Sequence, residues 1–416
     1  PLLDMAIALE HYQLVVFGAS SFVGQLLTTY LYQRHGVGNN LDWAIAGRSL
    51  SKLEALRNSL GAAAAGLPII VADANDEKAL RSLCRQTRVV ASTVGPYALF
   101  GSTLVKLCAQ TGVDYCDLAG EPQWIAQMIK DHSAAAQKSG ARIVPCSGFD
   151  SVPSDMGTYF LQQQALSRFG EPCTQVKLRV KALRGGASGG TVASMLETIR
   201  ESVANPALRK VLKNPYAFCS NNSSSLPRQP DTQLARFDAD ANSWTAPFIM
   251  AVINTKVVHR SNELSAYSYG KDFVYDEAML GGAGLAGRAK AMAIAVGLAA
   301  FTGVVAMQPT RTLLQRFVLP KPGEGPTPAQ QEAGFYDLRL FGTTNSGARL
   351  VAKVTGDRDP GYGSTCKILG EAAVCLALDI DKQQKPGGFW TPASVFGDSL
   401  ITRLSEHAGL TFSIID

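Results

Sequence analysis

Two glycines and two serines near the amino end have the spacing of a turn that binds phosphate groups. Gly18 and Gly24 enclose Ser20 and Ser21 in the sequence G-A-S-S-F-V-G, which fits G-x-x-G-x-x-G with serine at the middle glycine. An apolar run typical of a buried parallel strand precedes this turn, and residues with the apolar spacing of a helix follow it. Backbone N–H groups at such a helix start hold pyrophosphate. We therefore predict a dinucleotide site formed by Gly18, Ala19, Ser20, Ser21, Phe22, Val23 and Gly24; the alternative is a tight turn without a ligand.

Arg48 occupies the position where the adenosine ribose of such a cofactor is expected. Residues 43–46 form the second predicted strand, and the sequence G-R-S follows its end. An Asp or Glu at this place binds the ribose 2′-hydroxyl of NAD, whereas the planar guanidinium of an arginine binds a 2′-phosphate. We therefore predict NADP(H) as the cofactor, with contacts from Arg48, Ser49 and Lys52. The alternative is an exposed arginine at the start of a helix.

Two further loops complete the predicted cofactor site. Asp73 follows the third strand and is placed to meet the adenine edge, or else it or Asn75 caps the next helix. The fourth strand, 88–93, leads into the sequence G-P-Y. Ligands of open parallel sheets bind beyond the carboxyl ends of the strands. The nicotinamide should therefore lie against Thr93, Val94, Gly95, Pro96 and Tyr97.

Hydride transfer to carbon also needs a proton source, and Tyr97 and Asp150 are the two candidates. Pro96 restricts its loop, so Tyr97 should be held rigidly there; a packing tyrosine is the alternative. Asp150 lies in the loop after the sixth strand, where with Ser151 it also resembles a helix cap. Other side chains at strand ends that can exchange protons are Tyr115, Asp117, Glu121, Cys146, Ser147 and Asp155.

The order of these elements predicts an α/β fold of the Rossmann type. Six units in which a strand alternates with a helix build a doubly wound parallel sheet. The later segments 335–341 and 348–355 alternate apolar and polar residues like paired antiparallel strands. We therefore predict a second domain of α+β type. The polar loop 214–230 is the predicted linker.

Composition and charge limit the classes of function. The chain has 416 residues, of which 46% are hydrophobic and 18% charged, as in a folded protein of more than one domain. Its net charge of +5 comes without lysine- or arginine-rich runs, so we expect no nucleic-acid partner. Its eight cysteines form no C-x-x-C pair and its five histidines are scattered. We therefore predict reduced cysteines, a cytoplasmic location and no metal site.

The stretch 291–310 has no charged side chain and is bounded by Lys290 and Arg311. Its 20 residues are just long enough to span a membrane, but Gly297, Gly303 and many alanines make it weakly apolar. A buried helix, or one that lies on a membrane surface with its basic flanks at the headgroups, is favoured. We expect an apolar or lipid substrate and peripheral membrane contact through 291–310. A homodimer is a further expectation, which the sequence leaves open.

Eight motifs are spread in order over nearly the whole chain. They are G-A-S-S-F-V-G, A-G-R-S, G-P-Y-x-x-x-G, D-Y-C-D-L-A-G-E, P-C-S-G-F-D-S-V-P-S-D, S-G-G-T at 188–191, K-P-G-E-G-P at 321–326 and D-P-G-Y-G-S-T at 359–365. Together they resemble the saccharopine dehydrogenase-like oxidoreductase family, in the branch of the trans-acting enoyl reductases. That family usually has glycine where this chain has Ser21. The resemblance implies NADP(H)-dependent reduction of a carbon–carbon double bond in a lipid-like or polyketide-derived substrate.

The resemblance also implies a domain organisation. We expect an NADP-binding Rossmann domain at 10–155, joined by a late helix at 360–380. An α+β substrate and dimerisation domain at 156–358 and a C-terminal extension at 381–416 complete the chain. Two other functions stay open: the amino-acid or imine chemistry of saccharopine dehydrogenases, and a non-catalytic, lipid- or membrane-associated protein that binds the nucleotide. The first ranks lower because the sequence has no cluster of arginines for a charged substrate.

Overall fold

The computed structural model describes residues 11–185, 189–220, 225–310 and 325–415. Ser188 of the S-G-G-T motif, residues 321–324 of K-P-G-E-G-P and the basic residue Arg311 lie outside this part of the chain. Two sheets of seven strands each organise the described residues.

The first sheet is parallel throughout. Its strands are β1 (Tyr12–Phe17), β2 (Trp43–Gly47), β3 (Ile69–Val71), β4 (Thr87–Ser92), β5 (Asp114–Asp117), β6 (Arg142–Val144) and β13 (Gly388–Phe389). They lie in the order β13-β6-β5-β4-β1-β2-β3. The chain order reverses between β1 and β4, and this is where a crevice opens at the carboxyl ends of the strands. The predicted Rossmann-type sheet is confirmed, with one strand more than expected.

Helices cover both faces of this sheet because its strands are apolar on both sides. In β1, Leu14 and Val16 belong to one core and Val15 and Phe17 to the other. The helices are α1 (Phe22–His35), α2 (Leu50–Ser59), α3 (Glu77–Cys84), α4 (Tyr97–Phe100), α5 (Ser102–Thr111), α6 (Pro122–Ser139) and the late α13 (Thr365–Leu378). Helices α1, α2 and α13 pack into the first core, and α3, α5 and α6 into the second.

A buried ion pair attaches α13 to the first sheet. The guanidinium of Arg142 lies 2.5 Å from the carboxylate of Asp114, and both side chains are almost fully buried. The same guanidinium donates to the carbonyl oxygens of Leu376 at 3.0 Å and Ile380 at 2.7 Å. The end of the late helix is therefore held by β5 and β6.

The second sheet is mixed. Its strands are β7 (Cys173–Arg184), β8 (Arg236–Asp238), β9 (Ser243–Pro247), β10 (Val274–Gly282), β11 (Phe335–Thr344), β12 (Arg349–Gly356) and β14 (Leu410–Ile415). They lie in the order β14-β12-β11-β7-β10-β9-β8, in which β7 and β10 are parallel and the other pairs antiparallel. The predicted pairing of 335–341 with 348–355 is confirmed in the hairpin of β11 and β12.

The remaining helices surround the second sheet or join it to the first. They are α7 (Val152–Phe169), α8 (Gly189–Ala204), α9 (Pro206–Lys213), α10 (Ala251–Leu264), α11 (Gly284–Ala306), α12 (Pro328–Glu332), α14 (Pro392–Phe396) and α15 (Asp398–His407). Residues 381–416, expected as an extension, contribute β13 to the first sheet and β14 to the second. In the loop expected as a linker, Tyr216 and Phe218 are buried, so its described residues pack onto the protein.

Candidate functional site

The turn after β1 can be formed only with glycine at two positions. Gly18 has a φ of +86°, and a Cβ atom on it would lie 2.6 Å from Cγ2 of Val94. A Cβ atom on Gly24 would lie 2.2 Å from the carbonyl oxygen of Gly18. Real Cβ atoms do not approach backbone this closely, so the first turn of α1 sits directly on the end of β1.

Ser21, which stands where glycine is usual, caps helix α1. Its hydroxyl accepts a hydrogen bond from the N–H of Gly24 at 3.0 Å and lies 3.0 Å from the hydroxyl of Thr93. Thr93 in turn donates to the carbonyl oxygen of Gly18 at 2.9 Å. The serine therefore stabilises the helix start and connects it to the end of β4.

The start of α1 has the properties that a diphosphate requires. Within the described part of the chain, no hydrogen bond takes the N–H of Phe22 or Val23. The first turn of α1 contains no acidic residue. Free N–H groups and the positive end of the helix dipole therefore face the crevice between β1 and β4, which suits an anionic group.

Arg48 and Lys52 supply positive charge at the end of β2. Both side chains are exposed, and neither forms an ion pair with a described residue. Ser49 caps α2, since its hydroxyl accepts from the N–H of Lys52. Ser20 of the first turn lies next to this strand end, because a Cβ atom on Gly47 would be 3.7 Å from its hydroxyl. The arginine is therefore placed beside the predicted diphosphate turn and is free to bind a phosphate.

Asp73 lies at the end of β3 but does not cap the helix that follows. Its carboxylate accepts from the N–H of Asn75 at 2.8 Å, and it is partly exposed. Asp76 is the residue that caps α3, accepting from the N–H groups of Lys78 and Ala79 at 3.0 Å each. The capping alternative for Asp73 or Asn75 is therefore wrong, and the adenine contact stays a prediction.

The structure argues against Tyr97 as the proton donor. Its side chain is buried, and its hydroxyl donates to the carbonyl oxygen of Ser92 at 3.0 Å and accepts from the N–H of Leu118 at 3.1 Å. Burial raises the pKa of this phenol well above its usual value. The hydroxyl joins the ends of β4 and β5 inside the core, which is the packing alternative. Thr93, Val94, Gly95 and Pro96 stay at least partly exposed at the end of β4.

Glu121 fixes the loop that carries Tyr97. Its buried carboxylate accepts from the N–H groups of Tyr97 and Ala98, both at 2.7 Å. It also accepts from the hydroxyl of Ser194 on α8, at 2.8 Å. Burial raises the pKa of this carboxyl group. Glu121 thus caps α4 from the neighbouring strand end and connects the site to the second domain.

Among the candidate acids at the strand ends that the structure describes, Asp150 differs from the others in its exposure. It lies partly exposed in the loop after β6, with a carboxylate oxygen beside Gly120 of the neighbouring loop. No hydrogen bond reaches this carboxylate from the residues that the structure describes. Burial of the loop raises its pKa to about 6. Ser151 does not form the expected cap, because its hydroxyl donates to Asn254 of α10 at 2.9 Å.

The other candidate acids are buried and bind neighbouring groups inside the protein. Asp117 accepts from the N–H groups of Ala119 and Cys146 and from the hydroxyl of Tyr115, which lies 2.9 Å away. Asp155 accepts from the hydroxyl of Ser261 and from the N–H of Ala393. Both carboxyl groups are fully buried, and burial raises the pKa of each to about 7. Ser147 donates to the carbonyl oxygen of Val144.

One part of the site was not predicted from the sequence. Residues Pro360–Ser364 form a π-helical turn, and the ring of Tyr362 lies 4.7 Å from that of Phe22 at the start of α1. Asp359 holds the turn by accepting from the N–H groups of Tyr362 and Gly363. Gly325 also approaches Phe22, since a Cβ atom there would lie 2.6 Å from the ring. Gly325 and Tyr362, from two motifs late in the chain, therefore lie against the start of α1. The glycine-rich composition of these motifs was the only signal of this in the sequence.

The fold and this site define a class. Three features are typical of a dinucleotide-binding oxidoreductase. They are the parallel sheet whose strand order reverses between β1 and β4, the glycine turn after β1, and the exposed arginine after β2. The profile of the saccharopine dehydrogenase NADP-binding domain matches residues 14–144.

Known proteins narrow this class to a family. A provisionally named trans-acting enoyl reductase of Mycobacterium tuberculosis is 40% identical over 405 residues, covering 95% of this chain and 96% of the relative. A trans-acting enoyl reductase of Mycobacterium ulcerans is 36% identical over 413 residues, covering 97% of each. The chain therefore belongs to the saccharopine dehydrogenase-like oxidoreductases, in the group of the trans-acting enoyl reductases, and its cofactor is NADP(H).

A solved structure agrees at the level of the fold. Saccharopine dehydrogenase (L-Glu forming) of Saccharomyces cerevisiae superposes with a TM-score of 0.52 at 13% identity. The match covers 98% of this chain and 100% of that one. The arrangement of both domains is thus shared with a known dehydrogenase.

Proposed function

We propose that this protein reduces the carbon–carbon double bond of an α,β-unsaturated acyl substrate, with Asp150 as the proton donor. The carboxyl group of Asp150 carries the proposal: it is partly exposed at the strand ends, and its pKa is raised to about 6. Such a group is protonated in part near neutral pH and can release its proton in a reaction. The names of relatives at 36% and 40% identity support the reaction class.

In the proposed reaction, the cofactor supplies the hydride and Asp150 supplies the proton. NADPH, when bound, supplies a hydride to the β-carbon of the double bond. Asp150 donates its proton to the α-carbon and becomes a carboxylate, which then takes a proton from water. The loop of Asp150 is held from the second domain through Ser151 and Asn254, and Phe149 before it packs on Tyr336, with ring centres 4.6 Å apart. These contacts of Ser151 and Phe149 with the second sheet and its helices support a role of this loop in substrate binding, because substrates commonly bind where domains meet.

The substrate we propose is lipid-like, because apolar side chains surround the strand ends. Val94 and Leu118 are partly exposed there, and Leu99 of α4 is exposed. Exposed apolar side chains at a ligand-binding edge favour an acyl chain over a highly charged substrate. The amino-acid or imine chemistry of saccharopine dehydrogenases has no such support from the described residues.

Oxidation of NADPH in the presence of 2-enoyl thioesters of increasing chain length tests this function. We expect faster oxidation with longer chains and, in D₂O, one deuterium on the α-carbon of the saturated product. Asp150→Asn should lose the activity while NADPH binding is retained, and Asp131→Asn, on the exposed surface of α6, is the matched control. Oxidation supported by mixtures of a keto acid and an amine, but by no enoyl thioester, would favour the imine chemistry instead.

A further inference from the structure

Helix α11 is attached to the second domain along a single face. At its start, a Cβ atom on Gly287 would lie 2.0 Å from the carbonyl oxygen of Gly282, so the helix touches the end of β10. Ala291 and Ala295 continue the buried stripe, and Val305 near its end packs with Leu196 of α8. The helix is therefore held against the domain at both ends and lies along its surface.

The opposite face of α11 is apolar and exposed. Leu285 is 83% exposed, Val296 62% and Met292 45%, and the positions between them are mostly alanine and glycine. Of the described helices, α11 is the one with the length and apolar character of a membrane-crossing segment. Single exposed apolar residues are ordinary on a protein surface, but a continuous stripe of them is typical of an interaction site.

The charged side chains of α11 itself are both basic. Arg288 and Lys290 are exposed on α11, and Arg288 lies over the ring of Trp244 at 5.2 Å. No acidic residue occurs between Gly284 and Ala306. A partner that is both apolar and negatively charged therefore complements the exposed side chains of α11.

We propose that α11 binds flat to the surface of a membrane that contains anionic lipids. Leu285, Met292 and Val296 enter the boundary between headgroups and acyl chains, and Arg288 and Lys290 meet the lipid phosphates. A second copy of this chain is a poorer partner, because two α11 helices facing each other would bring like charges together. A membrane-spanning arrangement would pull the helix from the domain and expose its buried stripe.

Co-sedimentation with lipid vesicles tests the proposal in the full-length protein. We expect binding to vesicles of phosphatidylcholine mixed with phosphatidylglycerol, little binding to phosphatidylcholine alone, and release at high salt. Replacing Arg288 and Lys290 by glutamine should weaken binding about 30-fold, since each basic residue near the surface contributes about 1 kcal/mol. Met292→Glu with Val296→Glu should abolish it. Leu378→Glu, at an exposed apolar position on α13, is the matched control and should bind like the wild type.

NADPH binding and circular dichroism, measured on each variant, separate lost membrane contact from lost folding. Because none of these measurements uses enzyme turnover, the test of membrane binding does not depend on the proposed reaction. Equal binding to neutral and anionic vesicles, or wild-type binding by the Met292→Glu, Val296→Glu variant, would contradict the proposal. So would a dimer in light scattering that this variant converts to a monomer, since α11 would then be an interface between copies.

Discussion

The hydroxyl of Ser21 lies 3.0 Å from the hydroxyl of Thr93 and connects the turn after β1 with the end of β4. The contact falls where the strand order of the first sheet reverses. Two segments that must enclose a dinucleotide are therefore fixed to each other before the cofactor arrives, which lowers the conformational cost of binding.

We predict that Gly24→Ala weakens NADPH binding. The new Cβ atom would lie 2.2 Å from the carbonyl oxygen of Gly18, so the backbone of the turn must shift. Overpacking of this kind typically costs about 1–3 kcal/mol, and the same cost in the bound state would weaken binding about 5- to 150-fold. Titration of NADPH fluorescence measures the change. Gly297→Ala, in a helix with open space around it, should bind like the wild type; unchanged affinity in Gly24→Ala would mean that the turn does not hold the cofactor.

Tyr97→Phe should reduce stability rather than catalysis. The substitution leaves the buried carbonyl oxygen of Ser92 and the N–H of Leu118 without their partner. We expect a loss of about 1–3 kcal/mol in the free energy of unfolding, measured in urea, with kcat changed by less than about threefold. A large loss of kcat at unchanged stability would instead restore Tyr97 as the proton donor.

The pH dependence of turnover should follow Asp150. Burial raises the pKa of this carboxyl group to about 6, so its acid form persists to higher pH than in a free aspartate. A group that donates its proton is active below its pKa, and we expect kcat to fall as the pH rises through about 6. Asp150→Asn should lower kcat by about 10²–10⁴-fold and flatten this limb of the profile. If kcat of Asp150→Asn still fell as the pH rose through about 6, the pKa would belong to another group.

The sequence predicts the nucleotide-binding domain well because its signals are local. Strands β1 and β2 are short apolar runs, and Gly18 and Arg48 follow directly at their ends. The site as a whole depends on contacts between distant residues, which no local pattern encodes. The hydroxyl of Thr365 accepts from the N–H of Phe149, and Ser194 donates to Glu121. The structure argues against Tyr97 as the proton donor because Ser92 and Leu118 set the direction of its side chain, and the sequence does not show these contacts.

Breaking the buried ion pair beneath α13 should destabilise the protein strongly. Asp114→Ala would leave the guanidinium of Arg142 buried with only the carbonyl oxygens of Leu376 and Ile380 as partners. Removal of one partner from a buried pair costs about 3–5 kcal/mol, measured as the free energy of unfolding in urea. Glu77→Ala, which breaks an exposed pair with Arg81, should leave stability almost unchanged. Equal effects of the two substitutions would contradict the role assigned to Arg142 in holding the late helix.

The most direct test of the account is the affinity of the wild type and of Arg48→Ala for NADPH and NADH. Arg48 is exposed and follows Gly47, which lies next to Ser20 of the dinucleotide turn, and a charge-assisted contact with the 2′-phosphate is worth about 1.5–3 kcal/mol. We predict that the wild type prefers NADPH and that Arg48→Ala weakens NADPH about 10- to 100-fold while NADH binding changes little. Arg88→Ala, at the opposite end of β4, should have no effect. A wild type that prefers NADH, or equal losses for both cofactors in Arg48→Ala, would contradict the account.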